Sequence, residues 1–148
     1  MATGPTAGII HPTPTRRSNY IYLFYIKHHG GDPRAAQWSI SRDLEFAVFD
    51  SADFHDFSDE RGWLYGTGRD ADGGLLELGT WEQRVAEFPY ARPGENWHGY
   101  PLWPLKEYGP ENRKAERHRP AREVFAKMEA ANVLTPRERK RLYKGDHA

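Results

Sequence analysis

The sequence of 148 residues contains no cysteine. This absence excludes a disulfide scaffold, a zinc or iron–sulfur site with cysteine ligands, and a thiol nucleophile. No apolar run approaches the roughly 20 residues that a membrane-spanning helix needs. The first 17 residues also lack the basic-then-apolar order of a secretory signal. We therefore expect a soluble, cytoplasmic protein with no membrane partner.

The chain also has no net charge, because 21 Lys and Arg residues balance 21 Asp and Glu residues. The charges are unevenly distributed, however, with −5 over residues 1–105 and +5 over residues 106–148. A basic end of this kind can bind a nucleic acid or an acidic partner. Alternatively, it docks on the acidic part of the same molecule or of a second copy.

Several apolar segments predict strands. The longest is the unbroken β-branched and aromatic run over residues 20–26, which is typical of a central strand covered on both faces. Residues 37–41 and 44–49 alternate and predict two more strands, although Leu, Glu and Ala also permit a helix over 43–50. Residues 63–65 and 75–78 predict a hairpin with a long loop.

Three helices are predicted. Thr80 and Gln83 fit a capping box, and apolar residues follow at helical spacing, which predicts a helix over 81–88 that ends at Pro89. The other two lie after residue 119 and form an α-hairpin, the last of them beginning at Thr135-Pro136. The predicted fold is α+β, with a mostly antiparallel sheet of about four or five strands packed against the 81–88 helix and the C-terminal α-hairpin.

The predicted organisation has one domain. Residues 1–18 are rich in Pro, Thr, Gly and Ala and predict a flexible N-terminal tail. Residues 19–148 form the single α+β domain, with an acidic sheet part over 19–105 and a basic helical part over 106–148.

We expect neither a metal nor a cofactor. Aspartates recur every three residues over 50–59, but we favour a solvated or paired face over a metal site, with the C-terminal helices as a possible counterpart. The adjacent histidines 28 and 29 point to opposite faces of a strand and cannot readily share one ion. Residues 66–71 match G-x-G-x-x-A, but a glycine-rich turn and a strand follow where a dinucleotide site needs a helix.

The segment ENWHGYPLWPL, residues 95–105, is the leading candidate for chemistry. His98 could act as a general acid or base, with Tyr100 and Arg92 nearby, as in a small metal-independent nuclease or other hydrolase. Trp97 and Trp103 could bind a partner. The favoured alternative is structural: the rings cover the sheet, and His98 holds the turn.

The C-terminal VLTPRERKRLYKG resembles the opening of a LuxR-type helix-turn-helix over a few residues. The resemblance implies a DNA-binding role, but we expect no recognition helix to follow and assign the chain to no family. What we expect is a basic helix that contacts phosphates without reading sequence, or one that is simply solvated. Its cations are Arg137, Arg139, Lys140, Arg141 and Lys144.

Three functional hypotheses follow. The first is a small non-catalytic binding module in a protein complex, whose partner is another protein or a second copy and whose surfaces are the aromatic loop and the basic helices. The second is the hydrolase that uses His98. The third is a sequence-independent accessory protein that binds RNA or DNA. The sequence leaves open whether the protein is an enzyme.

Overall fold

The computed structural model describes residues 8–30, 35–102 and 120–144, which contain three helices and five short strands. The α+β class is therefore confirmed. In chain order the elements are β1 (Gly8–Ile10), β2 (Leu23–Tyr25), a 3-10 turn (Ile26–His28), α1 (Arg42–Phe54), β3 (Leu64–Gly66), β4 (Ala86–Phe88), β5 (Tyr100–Pro101), α2 (Arg122–Ala130) and α3 (Pro136–Tyr143).

The strands form two small antiparallel sheets, and the single sheet of four or five strands is not confirmed. One sheet is β1–β2, and the other is β3–β4–β5 in that order. The start of β2 also bonds to Trp97. The Trp97 N–H donates to the Ile21 carbonyl at 2.8 Å, and the Trp97 carbonyl accepts from the Leu23 N–H at 2.7 Å. This isolated parallel bridge links the two sheets without merging them.

The strand predicted over 44–49 is wrong, and the alternative helix over 43–50 is confirmed, because these residues belong to helix α1. The Ser41 hydroxyl caps the helix by accepting from the Leu44 N–H, and Asp43 lies in the first turn, where a negative charge is favoured. Val48, Phe49 and Ala52 then share one buried face. Period-2 alternation over six residues could not be distinguished from the start of this longer helical pattern.

The helix predicted over 81–88 is also wrong, because residues 86–88 form the central strand β4. The Gln83 side chain accepts from the Trp81 N–H at 2.8 Å, and Glu82 has a φ of +61°, so the expected cap is instead a tight turn. Strand pairing on both edges then fixes Ala86–Phe88 as a strand. Tertiary pairing has overridden the local helical pattern.

The predicted C-terminal α-hairpin is confirmed. Helix α2 buries Val124, Phe125 and Met128, and Asn132 follows it with a φ of +60°, a left-handed conformation that asparagine tolerates. Helix α3 begins with the predicted capping box between Thr135 and Glu138.

Two core clusters hold these elements together. The first lies between β2, α1 and the three-stranded sheet and is built mainly from aromatic rings: Tyr22, Phe24, Trp38, Phe49, Phe88 and Trp97. The second packs the α-hairpin on the three-stranded sheet and contains Phe57, Tyr65, Leu102, Phe125, Met128 and Leu142. Among the helices described, none is long and apolar enough to cross a membrane.

The aspartate-rich end of α1 is paired, but mainly with residues 16–18 rather than with the C-terminal helices. Asp50 accepts from the Arg16 backbone at 2.9 Å and from its guanidinium at 2.5 Å. Asp53 accepts from the Ser18 backbone and hydroxyl at 3.0 and 2.6 Å. The described part of the predicted tail, residues 8–18, therefore supplies β1 and these charge contacts.

Candidate functional site

Residues 97–100, WHGY, connect the two sheets, because Trp97 bridges to Tyr22 and Tyr100 pairs with Glu87 on β4. The indole N–H of Trp38 donates to the Gly99 carbonyl at 3.0 Å. A Cβ at residue 99 would lie 2.2 Å from the Phe88 ring and 2.6 Å from the Glu87 carbonyl. Only glycine therefore fits at this position.

Glu45 is the first buried carboxylate, and helix α1 places it wholly inside the molecule. The Tyr22 hydroxyl donates to Oε2, while Nε2 of His29 lies 2.9 Å from Oε1. The imidazole N–H is not aligned for a linear hydrogen bond, so this contact is electrostatic. Burial raises the pKa of Glu45, although His29 and Tyr22 oppose the rise.

His29 has one nitrogen turned inward and one turned outward. Its side chain is 18% exposed, and among the described residues Nδ1 is neither buried nor hydrogen-bonded. The exposed residue Arg42 lies three residues before Glu45 on α1, and its positive charge acts on that carboxylate. Solvent exposure therefore increases from Glu45 in the core to His29 and then to Arg42 at the surface.

Glu87 on β4 is the second buried carboxylate, and two tyrosines hold it. Tyr100 donates to Oε1 at 2.5 Å, and the Tyr65 hydroxyl lies 3.0 Å from Oε2. The same Tyr65 hydroxyl lies 2.9 Å from Asp59 and accepts from Arg61. One hydroxyl proton thus serves two carboxylates, which is a packed structural network rather than an open site.

This network shifts the pKa of its members. Burial, followed by the Glu87 charge, raises the pKa of Tyr65. Burial also acts to raise the pKa of Asp59, but hydrogen bonds from Arg61 and Tyr65 outweigh it and leave that pKa below its ordinary value.

The structure brings His98 and Tyr100 close to His28 but places Arg92 elsewhere. The His98 ring lies 5.1 Å from that of Tyr25, and the Tyr100 ring lies 5.1 Å from that of His28. Arg92 is exposed and lines a separate cleft of 330 Å³ that neither His98 nor Tyr100 lines. The three predicted catalytic residues therefore do not form one constellation.

His28 and His98 are held neutral near pH 7. Burial lowers the pKa of His28 to about 4, and its Nδ1 lies 2.7 Å from the Ala36 carbonyl. Burial, followed by the charge of Lys27, also lowers the pKa of His98. Nδ1 of His98 is buried and has no hydrogen-bond partner among the described residues, so no carboxylate in these ranges orients the ring through this nitrogen.

The structure describes one of the two predicted binding tryptophans. Trp97 is 3% exposed and packs in the first core against Tyr20 and Phe49. Its ring covers the sheet, which is the structural role that the sequence favoured. Trp103 lies outside the described residues.

The basic residues of α3 divide into two sets. Arg137, Lys140, Arg141 and Lys144 are exposed at positions i, i+3, i+4 and i+7, opposite the buried Leu142, and we call these four the basic face. None of them forms an ion pair with any residue in the described ranges. Arg139 points elsewhere and donates to Glu129.

Sequence reasoning missed Glu45 as a site residue. A strand over 44–49 would have put Glu45 opposite Leu44 and Phe46 and hence towards solvent, whereas the helix turns it into the core. His29 was visible at the end of the predicted strand 20–26, but adjacency to His28 argued only against a shared metal. Within the described ranges, no three His, Asp or Glu side chains are grouped to hold a metal ion.

Comparison with known protein families, with curated proteins and with solved structures gave no match.

Proposed function

We propose that this protein is a small binding module that docks on the phosphate backbone of a nucleic acid through the basic face. The observation that carries the proposal is the set of four exposed cations on one side of α3 without an ion pair among the described residues. Phosphate contacts need positive charge at the surface and no sequence-reading groove contact.

The energetics of the helix support a ligand for this face. Like charges three and four residues apart on a helix repel, at a cost of roughly 0.2–0.5 kcal/mol per pair. Mixed charges would remove that cost if the helix served only to cover the core with Leu142. A polyanion that lies along α3 would neutralise these charges and remove their repulsion. The counterions released from the polyanion would further favour binding.

The chemistry of the face favours nucleic acid over a protein partner or a second copy. Hot spots of protein interfaces are enriched in Trp, Tyr and Arg, set in well-packed and desolvated pockets. The basic face has no aromatic or apolar member, and all four of its cations are exposed, so it offers no such pocket around its two arginines. An acidic protein surface is the competing ligand that the experiment must distinguish. We also propose a cytoplasmic location, because a chain without cysteine is compatible with a reducing compartment.

The test is the salt dependence of binding to a fluorescent 20-nucleotide single strand and to its duplex, followed by anisotropy. Each of R137Q, K140Q, R141Q and K144Q should weaken binding to both, whatever the sequence. Each should also reduce the slope of log K against log salt by about 0.7 for the single strand and 0.9 for the duplex.

Arg92→Gln is the matched control, because it removes one exposed cation outside α3 and should leave the slope unchanged. Polyglutamate at the same charge concentration is the competitor. Equal losses in R92Q and the α3 variants, or binding to polyglutamate as tight as to nucleic acid, would overturn the proposal in favour of general polyanion or acidic-protein binding.

A further inference from the structure

We propose that His29, backed by the buried Glu45, is a general base that cleaves RNA held beside Arg42. This inference rests on the proposed nucleic-acid binding for its substrate class. It replaces His98 with His29 as the candidate catalytic histidine, because only His29 faces a carboxylate on one side and solvent on the other among the described residues.

The burial of the Glu45 carboxylate is not explained by stability alone. Placing Glu45 wholly inside a ring-rich core costs free energy, and an apolar residue of similar volume would often be at least as stable there. Perturbed carboxyl groups next to a histidine gather at functional sites. The cost of burying Glu45 is explained if its charge orients His29 and stabilises the imidazolium that forms when the ring takes a proton.

The tautomer follows from the geometry. With Nε2 facing Glu45 at 2.9 Å, the ring carries its proton on Nε2 and presents the Nδ1 lone pair to the surface. The imperfect alignment of this contact is common in a free enzyme and tightens when substrate binds. Tyr22 donates to the other carboxylate oxygen and thereby fixes the position of Glu45.

RNA is the substrate class because it supplies its own nucleophile. Nδ1 of His29 takes the proton of a 2′-hydroxyl, the 2′-oxygen forms a bond to the adjacent phosphorus, and the bond from phosphorus to the 5′-oxygen breaks. The products are a 2′,3′-cyclic phosphate and a 5′-hydroxyl, whose proton comes from water, while the imidazolium returns its proton to water. The Arg42 guanidinium, a planar donor suited to phosphate, holds the charged group during this exchange.

The experiment measures cleavage and binding separately. Cleavage of a fluorophore–quencher RNA is followed in EDTA, and binding is measured with the 2′-O-methyl form, which lacks the nucleophile. The H29Q variant should lose about 100-fold or more in cleavage rate, as expected for a lost general base, and should bind the 2′-O-methyl strand as the natural chain does. H55Q is the control, because His55 is exposed and lies at the far end of α1.

The outcomes separate the two proposals. Binding without cleavage, or cleavage that H29Q retains, overturns the inference about His29 and leaves the binding proposal standing. Cleavage that depends on His29 but not on the basic face overturns the binding proposal alone. Absence of both binding and cleavage overturns both.

Glu45 is a positioning residue, and its test separates cleavage from binding. In E45Q the amide still accepts from Tyr22, but the negative charge beside His29 is lost. The cleavage rate should therefore fall, while binding of the 2′-O-methyl strand stays unchanged. E45D keeps the charge on a shorter side chain and should recover part of the lost rate. Equal losses of rate in E45Q and E45D, or a loss of binding as large as the loss of rate, would show a purely structural role and overturn the assignment.

Discussion

At the scale of single residues, burial lowers the pKa of two histidines, His28 and His98. His28 is 3% exposed, and burial lowers its pKa from an ordinary 6.5 to about 4. Between these two values the unfolded chain binds a proton that the folded chain does not. Stability must therefore fall as the pH falls through this window, and it is unaffected by His28 above the window.

We predict that the free energy of unfolding drops by about 2 kcal/mol between pH 7.5 and pH 5 on account of His28. The variant H28N retains a donor near the Ala36 carbonyl but cannot titrate. Its free energy of unfolding should therefore fall by about 2 kcal/mol less between pH 7.5 and pH 5. Urea unfolding at the two pH values measures the difference. The exposed His55, changed to Asn, serves as the control, and equal pH slopes in the natural chain and H28N would contradict the prediction.

The sequence predicted the types of residue that lie near His28 better than it predicted their arrangement. His98 and Tyr100 were predicted from the composition of one segment, and both lie close to His28 in the structure. Arg92 was included only because it is near in sequence, and the chain carries it to another cleft. Proximity along an irregular segment does not fix direction, since each residue there has its own backbone angles.

At the scale of elements, the contact between α1 and β3 depends on a small residue. Gly66 lies against Val48, and a Cβ at residue 66 would approach Cγ1 of Val48 to 2.6 Å and its carbonyl oxygen to 2.9 Å. A glycine loop motif in the sequence could suggest phosphate binding or positive φ angles. The structure shows instead that Gly66 permits the close approach of a helix to a strand.

We predict that G66A destabilises the protein by about 1–3 kcal/mol, because the methyl group forces α1 away from β3. The double variant V48A/G66A should recover part of the loss that the side-chain clash causes, since the backbone clash remains. Thermal and urea unfolding measure both. In G68A the new methyl would meet the movable end of Leu76 at 3.1 Å, so a loss as large as that of G66A would contradict this account.

At the scale of the whole molecule, an ion pair fastens the basic α-hairpin to the rest. Arg69, in the loop after β3, donates to both Glu138 oxygens at 2.5 and 2.6 Å and to the Val133 carbonyl at 2.7 Å. The Arg69 hydrogen bonds lower the pKa of Glu138 to about 2. The stability that this ion pair contributes is fully present above pH 4.5, and it is lost as the pH falls towards 2 and Glu138 takes up a proton.

We predict that E138Q lowers the free energy of unfolding at pH 6 by about 1 kcal/mol, a value reduced for partial solvent exposure. The glutamine can still complete the capping box with Thr135, so the loss reports the charge. The difference between the natural chain and E138Q should shrink when unfolding is measured at pH 2.5. A matched loss in E60Q, which changes an exposed carboxylate, or a constant difference at both pH values would contradict this assignment.

The sequence alone determined the features that act over a few residues. The α+β class, the α-hairpin, the Thr135 capping box and the spacing of the four cations on α3 all follow from local pattern, because capping and helical periodicity involve neighbours along the chain. The tertiary structure decided the rest. Whether 44–49 and 81–88 are strand or helix, and hence whether Glu45 faces solvent or His29, depended on pairing and burial against residues far away in sequence. Such contacts are set by the packed whole, and a short segment does not specify them.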